Sequence, residues 1–165
     1  EGRLNLDAMY SVSDQEFANR IRRMPLEKGD IVYSREGERW GFAAQVPLSN
    51  TFCLGQRMMQ FRAGLEMRSR FLMWQLNALS TYRQGQMDTV GATSPHVNVG
   101  TIRNYALTCP PVSEQEEIAD FLDSETERLD RLDREAISAI GLLRERRASL
   151  VAAAVTGQVD VREAA

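Results

Sequence analysis

Residues 34 to 41 read Ser-Arg-Glu-Gly-Glu-Arg-Trp-Gly. Arg35 and Arg39 place two planar guanidinium forks on one short loop, and such forks pair in a bidentate way with phosphate or with the O6 and N7 edge of guanine. Ser34 and Glu36 add acceptors and Trp40 an indole, so this glycine-bounded stretch carries groups that anchor phosphates and meet base edges. Gln56 and Arg57, then Thr93, Ser94, His96 and Asn98, supply further donors and acceptors elsewhere in the chain. His96 suits a structural hydrogen bond as well as it suits a base contact. Glu36 and Glu38 could hold a metal, but Arg35 and Arg39 flank them, and a solvated charged loop accounts for all four.

Bond-making chemistry has little to work with. The sequence lacks a GxxxxGK[ST] phosphate loop, a GxSxG elbow, an HExxH pair and a glycine-rich strand-to-helix fingerprint. One histidine and one lysine leave the usual general bases almost missing. Cys53 and Cys109 stand far apart, outside any CxxC spacing, and read as reduced core residues. No catalytic residue, no metal site and no enzyme activity are expected of this chain.

The 165 residues carry a net charge of −3, which argues against a nucleic-acid partner until the chain is divided at Pro110-Pro111. Residues 1–112 hold thirteen Arg or Lys against ten Asp or Glu, a net of +3, and residues 113–165 hold seven against thirteen, a net of −6. Every basic residue except Lys28 is arginine; the base composition of the genome explains that bias as well as phosphate or guanine contacts do. No run of about 18 apolar residues occurs, and EGRLNLDAMY lacks the basic and apolar regions of a secretory signal. A cytoplasmic location without a membrane span is expected.

The elements that must position these loops are legible from patterning. Ser13-Asp14-Gln15-Glu16 forms a capping box ahead of Phe17, Ile21 and Met24, which predicts a short helix ending at Pro25. Ile31 to Ser34 predicts a strand and Phe42 to Val46 its hairpin partner, with strand candidates at Thr51 to Leu54 and Arg57 to Phe61 either side of Gly55. Arg70 to Leu79 predicts a buried helix with Ser69 as its cap, Gln84 to Pro95 a surface loop, and Tyr105 to Thr108 a last short strand. Val97, Val99 and Ile102 are expected to return to the core. Strands are expected to outnumber helices in this α+β (mixed α/β) first part, residues 1–112.

Pro110 and Pro111 cannot continue a ladder, and Ser113 with Glu116 predicts a second capping box opening a long helix. Its apolar residues, Ile118, Leu122, Leu129, Leu132, Ala136, Ile140, Leu143 and Leu150, keep close to heptad spacing, and no proline interrupts residues 112–165. Residues 113–165 therefore read as one long coiled-coil-type helix with a thin seam, enough for one neighbouring helix. Glu125 and Arg146 interrupt the seam, and Ala136, Ala139 and Ala152 to Ala154 suit close approach of another helix.

LEKGDIVYSREGERWGFAAQV, LGQRMMQFR, GATSPHVNVGTIRNYALTCPPVSEQEEIADFLDSETERLD and LLRERRASLVAAAVTGQVDVR resemble, in order and spacing, the target recognition domain and conserved helical region of specificity subunits of type I restriction-modification systems. The resemblance covers most of residues 24 to 162, and the segments around PP-x-x-EQ and AAVTGQ are its specific part. It implies a DNA-reading subunit without catalysis, one of two recognition domains held by two long antiparallel helices, each reading half of a split target on double-stranded DNA. It implies methyltransferase subunits docked on the helices, with S-adenosylmethionine, ATP and magnesium held by methyltransferase and restriction subunits and no cofactor by this chain.

The family pattern has two recognition domains and two helices, whereas one of each is visible here, the domain starting late. Two arrangements remain open: a second long helix from the same subunit, or one from a second copy in a homodimer that would read a symmetric site. A scaffold module of the same complex without DNA affinity of its own is the alternative function.

Overall fold

The computed structural model describes residues 2–89 and 95–159. The chain divides into a first unit that ends at Asp120 and a second that starts at Phe121.

The first unit is built around a three-stranded antiparallel sheet. Its strands are β1 (Ile31–Ser34), β2 (Ala43–Gln45) and β3 (Met58–Phe61), in the order β2-β1-β3. Val32 faces Ala44 on one neighbour and Gln60 on the other. The central position of β1 is why its sequence is apolar without alternation: both faces are covered. Ile31 and Tyr33 point to one side, where they meet Leu72, Met73 and Leu76 of helix α2 (Ser69–Asn77) together with Trp40, Val97 and Ile102. Val32 points to the other, against Leu26, Ala44 and Val46. Burial pushes the Tyr33 phenol far above its usual pKa, helped by the hydroxyl of Tyr105 at 3.2 Å.

Helix α1 (Asp14–Ile21) starts as the capping box predicts, with Ser13 Oγ accepting from the Glu16 N–H at 3.3 Å. Thr51 to Leu54, expected as a strand, is not one. Both edges of β1 are taken by β2 and β3, so this segment lies over the sheet and Phe52 and Leu54 pack beside the Val32 cluster. Ser69 does not cap α2; Arg68 stands at the cap, while Ser69 Oγ donates to the Gly29 carbonyl and accepts from Gln45 Nε2 at 3.0 Å.

Most of the described part of the expected loop from Gln84 lies in helix α3 (Leu79–Met87). Its poor apolar content is compensated by close packing at Thr81 and Gly85, both buried. Val97 and Ile102 reach the core as expected, but Val99 is 37% exposed on the short helix α4 (Val99–Arg103). Tyr105 to Thr108 is extended and yet belongs to no sheet. Two glutamine amides take the place of a neighbouring strand: Gln84 accepts from the Ala106 N–H at 2.8 Å and donates to its carbonyl at 3.1 Å, and Gln75 does the same for Thr108 at 2.8 and 2.7 Å. Helices accordingly outnumber strands among the described residues, the reverse of the sequence expectation. Neither cysteine is buried: Cys53 is partly covered and Cys109 exposed, and both are free thiols.

The long helix is α5 (Val112–Val155), 44 residues or about 66 Å at 1.5 Å per residue. It begins one residue before Ser113, and the Pro111 carbonyl accepts from the Gln115 N–H at 3.1 Å. Glu116 ion-pairs with Arg68 at 2.6 Å instead of closing the expected box. Gln115 is wholly buried: its Oε1 accepts from the Arg68 N–H at 2.7 Å, and its Nε2 donates to the carbonyls of Glu66 and Pro110, each at 2.8 Å. Together with buried Ala119 and the Arg70–Asp120 ion pair at 2.6 Å, it fastens residues 112–120, the stretch of α5 that belongs to the first unit, within that unit.

In the second unit the expected seam is in water. Leu129, Leu132, Ile140, Leu143 and Leu150 are each about half exposed or more, and Ala136 is exposed; Ile118 in the first unit and Leu122 are half-buried. The apolar surface is broader than a single seam. Ile137 and Leu142, each one position from a seam residue and so about 100° round the helix, are 63% and 64% exposed, and Val155 is 83% exposed.

Candidate nucleic-acid interface

The hairpin joining β1 to β2 is closed by Ser34, whose N–H donates to the Phe42 carbonyl at 2.9 Å and whose carbonyl accepts from the Gly41 N–H at 2.7 Å. Gly41 takes a φ of +90°, and a side chain there would meet the Tyr82 ring at 2.7 Å, so glycine is required on both counts. On its other side the chain leaving β1 finds two successive neighbours. The Arg35 N–H donates to the Arg57 carbonyl at 3.1 Å, and then residues 95–97 take over from β3. The Arg35 carbonyl accepts from the Val97 N–H at 2.9 Å, Glu36 and His96 form an antiparallel bridge, and the Gly37 N–H donates to the Pro95 carbonyl at 3.0 Å.

Three segments separate in sequence are thereby joined through their backbones: Ser34 to Gly37, Arg57 and Pro95 to Val97. Of the residues the sequence singles out, Ser34, Arg35, Arg57 and His96 are brought together. Arg39 is exposed on the hairpin turn, and Gln56 is exposed beside Arg57. Asn98 stands at the N-cap of α4 with no side-chain capping bond, its amide exposed. Thr93 and Ser94 lie outside the described residues.

Trp40 is a correction. Its indole is 6% exposed and stacks on Tyr82 with ring centroids 4.3 Å apart, in the core beside α3. An apolar ring next to Gly41 lowers its free energy by burial, and the tight turn swings it inward. It holds the loop from beneath and offers no surface to a base.

Glu36, expected as one of several solvated charges, is held. Its side chain is 25% exposed and Arg57 Nε lies 3.4 Å from its carboxylate. No motif points to it; the bridge to His96, 60 residues away, is a tertiary fact. Among the described residues Arg35 and Arg39 make no ion pair; Arg39 is exposed and Arg35 partly so. Among the described residues no group of three or more His, Cys, Asp or Glu could hold a metal ion, and no helix is long and apolar enough to cross a membrane. The surface suits recognition of an anion with hydrogen-bonding edges.

A family model described as the type I restriction modification DNA specificity domain matches residues 7–140. That span contains all of the candidate interface and α5 as far as Ile140. No curated protein matches the chain.

Proposed function

This chain belongs to the family of type I restriction modification DNA specificity domains, whose role is recognition of DNA, and on that premise we propose how its parts divide the work. The surface formed by residues 34–39, 56–57 and 95–98 reads one half of a split target. Helix α5 pairs through Leu122, Leu129, Leu132, Ala136, Ile140, Leu143 and Leu150 with a second long helix, from the same subunit or from a second copy. Ile137, Leu142 and Val155 leave apolar surface for a further partner, and methyltransferase subunits are the proposed occupants. On this reading S-adenosylmethionine, ATP and magnesium belong to the methyltransferase and restriction subunits.

The observation that carries the DNA-reading part is the convergence of Arg35, Arg57 and His96 from three distant stretches onto one backbone-bonded surface, with Arg39 and Gln56 exposed beside them. A loop that merely needed solubility has no reason to gather Arg35 and Arg39, which have no acidic partner among the described residues, beside Arg57, which has only Glu36. With the chain reconstituted with its methyltransferase subunit, Arg35→Ala and Arg39→Ala should each weaken binding to target DNA several-fold. The slope of log affinity against log salt should become shallower by about one for a phosphate contact. Unchanged affinity in both variants, with methyltransferase binding intact, would instead favour a scaffold that does not read DNA through this loop.

A further inference from the structure

Arg35, Arg39 and Arg57 share the candidate interface with two carboxylates, and the fold treats the two differently. Glu38 is exposed in the turn. Glu36 is fixed: its backbone bridges His96, its carbonyl accepts from Ser34 Oγ at 3.4 Å, and the next residue, Gly37, bonds to Pro95. Its side chain is three-quarters covered with Arg57 at 3.4 Å, while the Arg57 side chain is 65% exposed. As a contribution to stability such a pair is small. Against DNA its effect is larger, because a carboxylate carried on a fixed backbone beside Arg57 repels any phosphate set before it and competes with that phosphate for Arg57. Beyond Arg57 the carboxylate can accept only from a further donor, and on base edges in the major groove the donors are the exocyclic amino groups of cytosine and adenine.

We infer that Glu36 is a specificity-determining residue: it lowers affinity for DNA in general and accepts a hydrogen bond from a base amino group at the correct site. The inference rests on the proposed reading of this surface as the DNA interface, and it assigns discrimination to a residue whose charge opposes binding. Glu36→Gln keeps the shape and every backbone bond of the loop, so folding is preserved, and Glu38→Gln is its match in net charge.

The test selects a preferred duplex from a random-sequence pool with the chain assembled with its methyltransferase subunit, then measures affinity for that duplex and for a scrambled one. Glu36→Gln, which keeps an acceptor but loses the charge, should bind the scrambled duplex several-fold more tightly, and the ratio of selected to scrambled affinity should fall about fivefold, the low end for one base contact. Glu38→Gln should leave the ratio unchanged. An equal fall in both variants reduces the effect to net charge and overturns the assignment. An unchanged ratio in Glu36→Gln, beside weakened binding in Arg35→Ala, overturns the role of Glu36 and leaves the interface standing. Unchanged binding in both Arg35→Ala and Arg39→Ala overturns both.

Discussion

Asp30 is 3% exposed and receives four hydrogen bonds, two from Arg62 at 2.7 and 2.8 Å, one from Gln60 at 2.6 Å and one from the Glu27 N–H at 2.8 Å. Burial alone would raise its pKa; the bonds from Arg62, Glu27 and Gln60 outweigh burial and hold the carboxyl below its usual range. A group whose pKa is lower in the folded chain contributes stability above its unfolded value of about 3.9 and loses it as pH falls through the folded value. Asp30→Asn should therefore cost about 2 kcal/mol at neutral pH, because the charge-assisted bonds go. Urea unfolding of wild type and variant should converge as the solution is acidified below about pH 4. Constant spacing between the two curves down to the acid limit would show that folding does not lower the Asp30 pKa. Gly85 makes the steric counterpart. A methyl group there would press on the Tyr105 hydroxyl and come within 2.9 Å of the Trp40 ring. Alanine favours a helix over glycine by about 1 kcal/mol, so in open space Gly85→Ala would stabilise. Here overpacking should win, for a net loss of about 1 to 2 kcal/mol in thermal or urea unfolding.

At the scale of elements, local signals were legible and cross-chain ones were not. The capping box at Ser13, strand β1, its hairpin with β2, strand β3 and the length of α5 follow from capping, branching and periodicity, each of which acts within a few residues. Tyr105 to Thr108 has the composition of a strand, but whether a strand or two glutamines meet its backbone is decided by α2 and α3, 22 to 33 residues upstream. Likewise Arg35, Arg39, Gln56 and Arg57 could be named from their chemistry, while the burial of Trp40 and the holding of Glu36 depend on Tyr82 and His96. Gln115 shows the same limit. Within PPVSEQEE its neighbours Ser113 and Glu116 offer the capping signal, yet Gln115 is the residue that closes the joint, with three strong bonds from one wholly buried amide. Gln115→Leu, of similar volume, should leave the Arg68 N–H and the Pro110 carbonyl without partners and the Glu66 carbonyl with only the Cys109 thiol at 3.6 Å, and cost about 2 to 4 kcal/mol. Hydrogen exchange should quicken at Arg68 and the first turn of α5, with the amides of β1 and β2 protected as before. If exchange at Arg68 stays slow, water replaces the amide and the joint does not depend on Gln115.

For the molecule as a whole, the division of charge matches the division of surface. The basic excess sits in residues 1–112, which carry the candidate interface and keep a net charge of +3, and the acidic excess follows Val112. The second unit presents the opposite problem, apolar side chains without cover. Leu129, Leu143 and Leu150, 54%, 66% and 60% exposed, stand fourteen and seven residues apart with Ala136 midway in the longer gap, and burying one such leucine against a facing helix contributes about 1.5 to 3 kcal/mol. Leu129→Asp removes that gain and sets a charge in the seam, so pairing should weaken by about 3 kcal/mol, more than a hundredfold in dissociation constant. Analytical ultracentrifugation of the chain, alone and with its methyltransferase subunit, reads the change directly. A wild-type chain that is a dimer by itself and a monomer after Leu129→Asp would identify the second helix as another copy, and the DNA site would then be symmetric. A wild-type chain that stays monomeric alone and loses only its place in the complex would assign the facing helix to a different polypeptide segment. A substitution without effect in either setting would remove the seam from the assembly altogether, since no arrangement of paired helices leaves a buried aspartate at that position without cost.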